Sequence, residues 1–199
     1  MKLGKLKLGE TKVFSFNEEY LSNYGPKGYA RCYRDYGFDL EKIISDFKSY
    51  GISPKYILDA GCGPGNTVLD FRKHDYVAFG IEIGDIDFVR QAVPFCIKGD
   101  IRRIKNITLP NSMSATDVDC LFCNSLMYLT ESEIDRFLGD TSSVPYLYVV
   151  NPYSDIPSTV CKDKYRKMLK PRDWWIKKIE DFGRFYKPKT DSLFLRKHG

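Results

Sequence analysis

This 199-residue chain lacks long apolar runs and paired metal-ligand motifs and has little histidine. Its longest apolar stretches, such as YLYVV at 146–150, fall well short of the ~20 residues a membrane-spanning helix needs. The opening MKLGKLKLGETK has no apolar centre of the kind a secretory signal carries, so a cytoplasmic protein without a membrane partner is expected. The only histidines are His74 and His198. The first follows a predicted helix at the end of the sheet away from ligand crevices and the second adjoins the C-terminus, so neither is a good general base. Six cysteines, Cys32, Cys62, Cys96, Cys120, Cys123 and Cys161, are scattered through apolar segments and read as reduced thiols, not a disulfide framework. Cys120 and Cys123 form a C-x-x-C, yet DVDCLFCNSL reads as a strand, in which residues three apart face opposite sides. No second cysteine or histidine pair completes a tetrahedral site, so no metal is expected. Repeats, low-complexity tracts and linkers are missing too, which leaves 1–199 as a single domain.

What is present is an ordinary globular composition with an uneven charge. Residues 1–160 carry 18 Lys+Arg against 21 Asp+Glu, whereas 161–199 carry 13 against 5. A basic C-terminal fifth either meets a polyanion, making nucleic acid a partner through 161–199, or is a solvated helix face.

Along the chain, β-rich runs alternate with helical windows. Residues 1–50 read as a helical, aromatic cap, with Leu40, Ile43, Ile44 and Phe47 at helical spacing before Gly51 ends the pattern. Five buried strands follow: KYILDAG (55–61), YVAFGIEI (76–83), PFCIKGD (94–100), VDCLFCN (118–124) and YLYVVN (146–151). DIDFVRQAV (85–93) and TESEIDRFL (130–138) read as crossover helices, the second opened by a capping box of Thr130 and Glu133. PRDWWIKKIEDFG (171–183) reads as a helix between its proline and its glycine. FYKPK and SLFLRK would then form an edge hairpin, so that 171–199 make a basic helix and hairpin. The pattern predicts an α/β fold: a single doubly wound, mostly parallel sheet with helices on both faces and a C-terminal antiparallel hairpin.

The chemistry centres on YILDAGCGPGNT, residues 56–67. A glycine-rich turn from strand to helix frees backbone amides and lets a ligand approach where no Cβ intrudes. A dinucleotide loop reads G-x-G-x-x-G and takes a pyrophosphate. This loop instead spaces Gly61, Gly63 and Gly65 evenly and sets Asp59 just before them. An aspartate there repels a pyrophosphate and suits a cationic group such as an amino-acid ammonium.

ILDAGCGPG resembles the first motif of the class I S-adenosylmethionine-dependent methyltransferases, and the resemblance runs firmly from Lys55 to Asn151, making 55–151 a cofactor-binding core. It implies S-adenosylmethionine as cofactor and S-adenosylhomocysteine as product. Asp59, Gly61, Cys62, Gly63 and Gly65 match the turn under the methionine portion, with the acidic residue helping to hold the ammonium. Glu82, at the end of the second strand, is in place to accept from both ribose hydroxyls, and by resemblance Ile83 stacks on adenine. KGDIRRI implies that Asp100 meets the adenine amino group and that Ile101 covers the ring. Asn124 in CNSLMYL falls where cofactor and acceptor meet in this fold, or else caps the following turn.

The acceptor is harder to read. Enzymes that methylate nucleobase amino groups resemble one another in an Asn/Asp-Pro-Pro-aromatic motif after the fourth strand. This chain has NSLM there, which argues against such an acceptor. Tyr24 and Tyr33 in the N-terminal cap are candidates for a lid or acceptor wall, with ordinary packing as the alternative. Along with Asn124 they are the weak candidates for a catalytic role. The expectation is a methyltransferase acting on a small molecule. An RNA or DNA methyltransferase and a cofactor-binding protein without transfer are the alternatives.

Overall fold

The computed structural model describes residues 39–84, 90–150, 166–186 and 193–196, the last two strands by their backbone apart from the Arg184 side chain. Tyr24 and Tyr33 lie outside the described residues, as do 85–89 of the window expected to be a crossover helix.

Helix α1, Leu40–Ser49, starts where the Asp39 side chain accepts from the Lys42 amide, and it buries Ile43, Ile44 and Phe47. Strand β1, Tyr56–Ala60, follows. Its entry is held by Asp119 Oδ2, which accepts from the amides of Lys55 at 2.7 Å and Tyr56 at 2.8 Å. Helix α2, Asn66–Lys73, opens at Gly65 in the left-handed region and leads to β2, Val77–Glu82. A 3-10 turn, Val93–Phe95, precedes β3, Cys96–Lys98. Residues 90–92 are turns, so the described end of the expected 85–93 helix is not α-helical. The strand expected from Pro94 is also shortened, because Pro94 and Phe95 fall inside that turn. Strand β4, Cys120–Cys123, helix α3, Glu131–Asp140, and strand β5, Tyr146–Val149, complete the parallel part. Thr130 and Glu133 form the capping box reciprocally. Helix α4, Arg172–Glu180, then leads to β6, Arg184–Tyr186, and β7, Leu193–Arg196.

The sheet order is β3-β2-β1-β4-β5-β7-β6. β1 pairs in parallel with both β2 and β4, β2 with β3 and β4 with β5, whereas β7 runs antiparallel to β5 and β6. Strand direction of progress therefore reverses between β1 and β4. The carboxyl ends of those two strands bound the crevice in which an open α/β sheet takes its ligand.

Alternation along the strands splits the core in two. Ile57, Ala78, Cys120, Phe122 and Tyr148 pack with Phe47 of α1 and Val68 and Phe71 of α2. Leu58, Ile81, Leu121, Cys123 and Leu147 pack with Phe137 of α3 and Trp175 and Ile179 of α4. Cys120 and Cys123 thus enter opposite layers, and burial raises both thiols above their ordinary range, which leaves them inert side chains of the core.

Candidate functional site

The site is built first from backbone. Gly61, Gly63 and Gly65 all have positive φ, at 89°, 54° and 91°, a region that costs L-residues strain. The amides of Gly61 and Cys62 both donate to Ile81 O, at 2.8 and 3.0 Å, so β2 steers the loop out of β1. Space makes a second demand at Gly61, where a Cβ would lie 2.6 Å from Ser125 Cβ and 2.8 Å from Ser125 Oγ.

Two carboxylates sit beneath this loop. Glu82 is buried and spans two backbone segments, its Oε2 accepting from Gly63 N at 2.9 Å and its Oε1 from Gly84 N at 2.6 Å. Asp59 is 3% exposed. Burial, and secondarily the Glu82 charge, raise its carboxyl well above the ordinary value of 3.8. No described residue donates a hydrogen bond to it. An enclosed carboxyl beside a second one, with no donor among the described residues, is stabilised in its charged form by a nearby cation.

The remaining expected residues divide into those that join this cluster and those that do not. Cys62 contributes its backbone alone. Its side chain turns into the α1–α2 layer, and its thiol is raised by a hydrogen bond with Cys96, then by burial and by Asp59. Room for the two sulfurs comes from Gly80 in β2, where a Cβ would be 2.5 Å from Cys62 Sγ and 2.9 Å from Cys96 Sγ. Ile83 is half-buried just past Glu82. Asp100 lies near the Glu82 strand, since Gly99 N donates to Glu82 O at 2.9 Å. Its carboxylate, however, is taken up by Arg102: Nε reaches Oδ1 at 2.8 Å and Oδ2 at 2.9 Å, and Nη2 reaches Oδ2 at 2.6 Å. Ile101 packs into the α3–α4 layer at 8% exposure. Asn124, half-buried at the end of β4, makes no hydrogen bond with any described residue, and the turn after it has no side-chain cap. The capping alternative therefore falls away, and its amide is available at the β1–β4 crevice.

Two residues of the site went unnoticed in the sequence. Ser125 Oγ donates to Ala60 O at 2.5 Å, linking the ends of β1 and β4 against Gly61. Arg102 joins Asp100 to Glu133, reaching Glu133 Oε1 with Nη1 at 3.0 Å, and so ties the turn after β3 to the start of α3. Both follow motifs already singled out, but their partners are far along the chain or across a strand. Among the described residues, no group of three or more histidine, cysteine or acidic side chains is placed to hold a metal, and no helix is long and apolar enough to cross a membrane.

This strand order and glycine turn define the fold of the class I S-adenosylmethionine-dependent methyltransferases. Among solved structures, the chain is similar to the 1,6-didemethyltoxoflavin-N1-methyltransferase of Burkholderia thailandensis, determined with 1,6-didemethyltoxoflavin and S-adenosylhomocysteine bound: TM-score 0.63 and 12% identity over 98% of this chain and 90% of that one. It is similar also to the magnesium protoporphyrin IX methyltransferase of Synechocystis with bound S-adenosylmethionine, with TM-score 0.58 and 14% identity over 97% and 100% of the two chains. A TehB-like S-adenosylmethionine-dependent methyltransferase from Corynebacterium glutamicum gives 0.56 and 15% over 92% and 99%. No protein-family model and no curated protein sequence matches the chain.

Proposed function

We propose that this protein is an S-adenosylmethionine-dependent methyltransferase that methylates a small-molecule acceptor. The observation that carries the reading is Asp59: a carboxyl 3% exposed, without a donor among the described residues, under a glycine turn at the point where the sheet reverses. The ammonium of a methionine moiety answers that need, whereas a dinucleotide pyrophosphate would add a third negative group to Asp59 and Glu82.

In this reading Asp59 holds the ammonium, and Gly61, Cys62, Gly63 and Gly65 cradle the methionine part with their backbone. Glu82 accepts from the ribose hydroxyls on lone pairs that its two amide contacts leave over. Ile83, Asp100 and Ile101 form the adenine end, and Asn124 orients the acceptor. The bound cofactor supplies an electrophilic methyl on a sulfonium and leaves as S-adenosylhomocysteine. The chain's own contribution is alignment and exclusion of water. The N-terminal segment with Tyr24 and Tyr33 is assigned as a cap over the 55–151 core, and the protein as cytoplasmic.

A small acceptor is favoured over nucleic acid by three described cations of the basic region. Lys178 pairs with Glu131 and Asp135 at 2.8 Å each, Lys167 lies 3.9 Å from Glu133, and Arg184 is buried with Nη2 donating to Thr141 O at 2.7 Å. Cations already engaged in this way neutralise few phosphates, and so release few of the counterions condensed on a polyanion. The toxoflavin-type enzyme among the similar structures also holds a small-molecule ligand.

The test is calorimetric titration with S-adenosylhomocysteine and, separately, NAD on wild type and Glu82→Ala. Binding of the first ligand that weakens at least about tenfold in the variant supports the reading. Tight binding of NAD, or of neither ligand, overturns it.

A further inference from the structure

Exposure along residues 166–170 alternates. Arg166 is half-buried, Lys167 exposed, Met168 buried, Leu169 exposed and Lys170 half-buried. A period of two belongs to extended chain, so Arg166 faces the body of the protein on the same side as Met168. The segment is fastened there, because the amides of Lys167 and Met168 both donate to Met127 O, at 2.9 and 3.1 Å. Met127 belongs to the turn that follows Asn124 at the end of β4. Arg166 therefore stands at the carboxyl edge of the sheet, beside the crevice and on its β4 side.

Its side chain differs from those of Arg102 and Lys178, the ion-paired cations nearby. Arg166 Nε is buried and has no hydrogen-bond partner, and among the described residues no carboxylate pairs with it. By contrast, Arg102 is shared between Asp100 and Glu133, and Lys178 between Glu131 and Asp135. A charged donor shielded from water without an acceptor is destabilising, and an arriving anion removes that penalty.

We infer that Arg166 recognises an anionic group, a carboxylate or a phosphate monoester, on the small-molecule methyl acceptor. The planar fork of arginine matches either group through two parallel N–H donors. The acidic start of α3 decides against a nucleic-acid strand: Lys167 brings Glu133 beside this segment, and Glu131 and Asp135 lie on the same helix. A strand laid along the outside would meet those carboxylates, whereas one anion entering from the crevice meets Arg166. The word acceptor rests on the proposed methyltransferase function; the anion site itself does not.

The experiment follows the arginine Nε–H signals of nitrogen-15-labelled protein during titration with benzoate, phenyl phosphate and, as neutral control, benzamide. Arg166→Lys assigns the signal, and Arg166→Met is titrated with calorimetry alongside. Expected are a saturable shift of the Arg166 signal with one or both anions, none with benzamide, and about tenfold weaker anion binding in Arg166→Met. S-adenosylhomocysteine affinity should be the same in wild type and variant. An equal response to benzamide, no response to either anion, or unchanged anion affinity in Arg166→Met overturns the inference. So does a short single-stranded RNA that binds Arg166 more tightly than either probe. If the anions shift Arg166 while S-adenosylhomocysteine fails to bind, the anion site stands and the methyltransferase reading falls.

Discussion

Glu82 Oε2 accepts a hydrogen bond from the amide of Gly63 at 2.9 Å, while Oε1 of the same carboxylate accepts from Gly84. The end of β2 thereby holds the loop that leaves β1, and the residue we propose for the ribose also shapes the glycine turn we propose for the methionine part. Glu82→Gln keeps the shape but turns one acceptor into a donor facing an amide N–H. The expected cost is about 1–3 kcal/mol of stability, measured by urea unfolding, together with weaker S-adenosylhomocysteine binding. A variant as stable as wild type would mean that the two amide contacts carry no net energy.

Asp59 gives a pH signature whose sign is opposite to the usual acidic group. Its folded pKa is raised above 3.8 by burial and then by Glu82, so the folded state keeps a proton that the unfolded state has released. Stability then falls as pH climbs from about 4 toward the raised value. Asp59→Asn removes this loss. Thermal unfolding from pH 4 to 7 should show the variant gaining on wild type as pH rises, with S-adenosylhomocysteine affinity falling in the variant. A pH-independent difference between the two would count against a buried, titrating Asp59.

Gly80 and Gly51 separate close packing from backbone strain. A Cβ on Gly80 meets two sulfurs and Cys62 Cβ within 2.9 Å, whereas Gly51, with φ of 65°, has nothing within 4 Å of its added Cβ. Gly80→Ala should cost roughly 1–3 kcal/mol or more through overpacking, and Gly51→Ala about 1 kcal/mol through strain alone. Denaturant midpoints of the two variants decide the order.

Arg102 and Glu133 define the acid side. Burial pushes the Glu133 carboxyl up, but the Thr130 amide, Arg102, the Thr130 hydroxyl and Lys167 together bring it below its ordinary 4.5. The stability it contributes is complete above about pH 4.5 and is lost as pH falls through the lower folded value. Arg102→Met should flatten this acid-side slope and destabilise the protein at pH 7 by about 1–3 kcal/mol, since it strands Asp100 and Glu133 together. An unchanged acid limb would place the pairing energy with Thr130 and Lys167.

Much of this architecture could be read from local pattern. The apolar runs of β1, β2, β4 and β5 are buried on both faces of a parallel sheet, so they stand out as strands without reference to partners. The Thr130–Glu133 box and the Gly65 entry to α2 are each complete within four residues. The described end of the window from Asp85, residues 90–93, departs from the expected helix because apolar spacing at helical period does not specify length or turn type, and Pro94 tightens it into a 3-10 turn.

The site divides along the same line. Asp59, the three glycines and Glu82 are set by motif and offset, because a strand, a left-handed turn and the next strand end are consecutive in the chain. Asp100 is the counterexample. Its place after β3 follows from sequence, but its capture by Arg102, and Arg102's reach to Glu133, depend on α3 folding back over that turn. Tertiary structure alone could decide which charged groups are enclosed and what they meet there. Asp59 and Arg166 are ordinary charged residues in the sequence; enclosure without a hydrogen-bond partner among the described residues, a property of everything packed around them, is what marks them out.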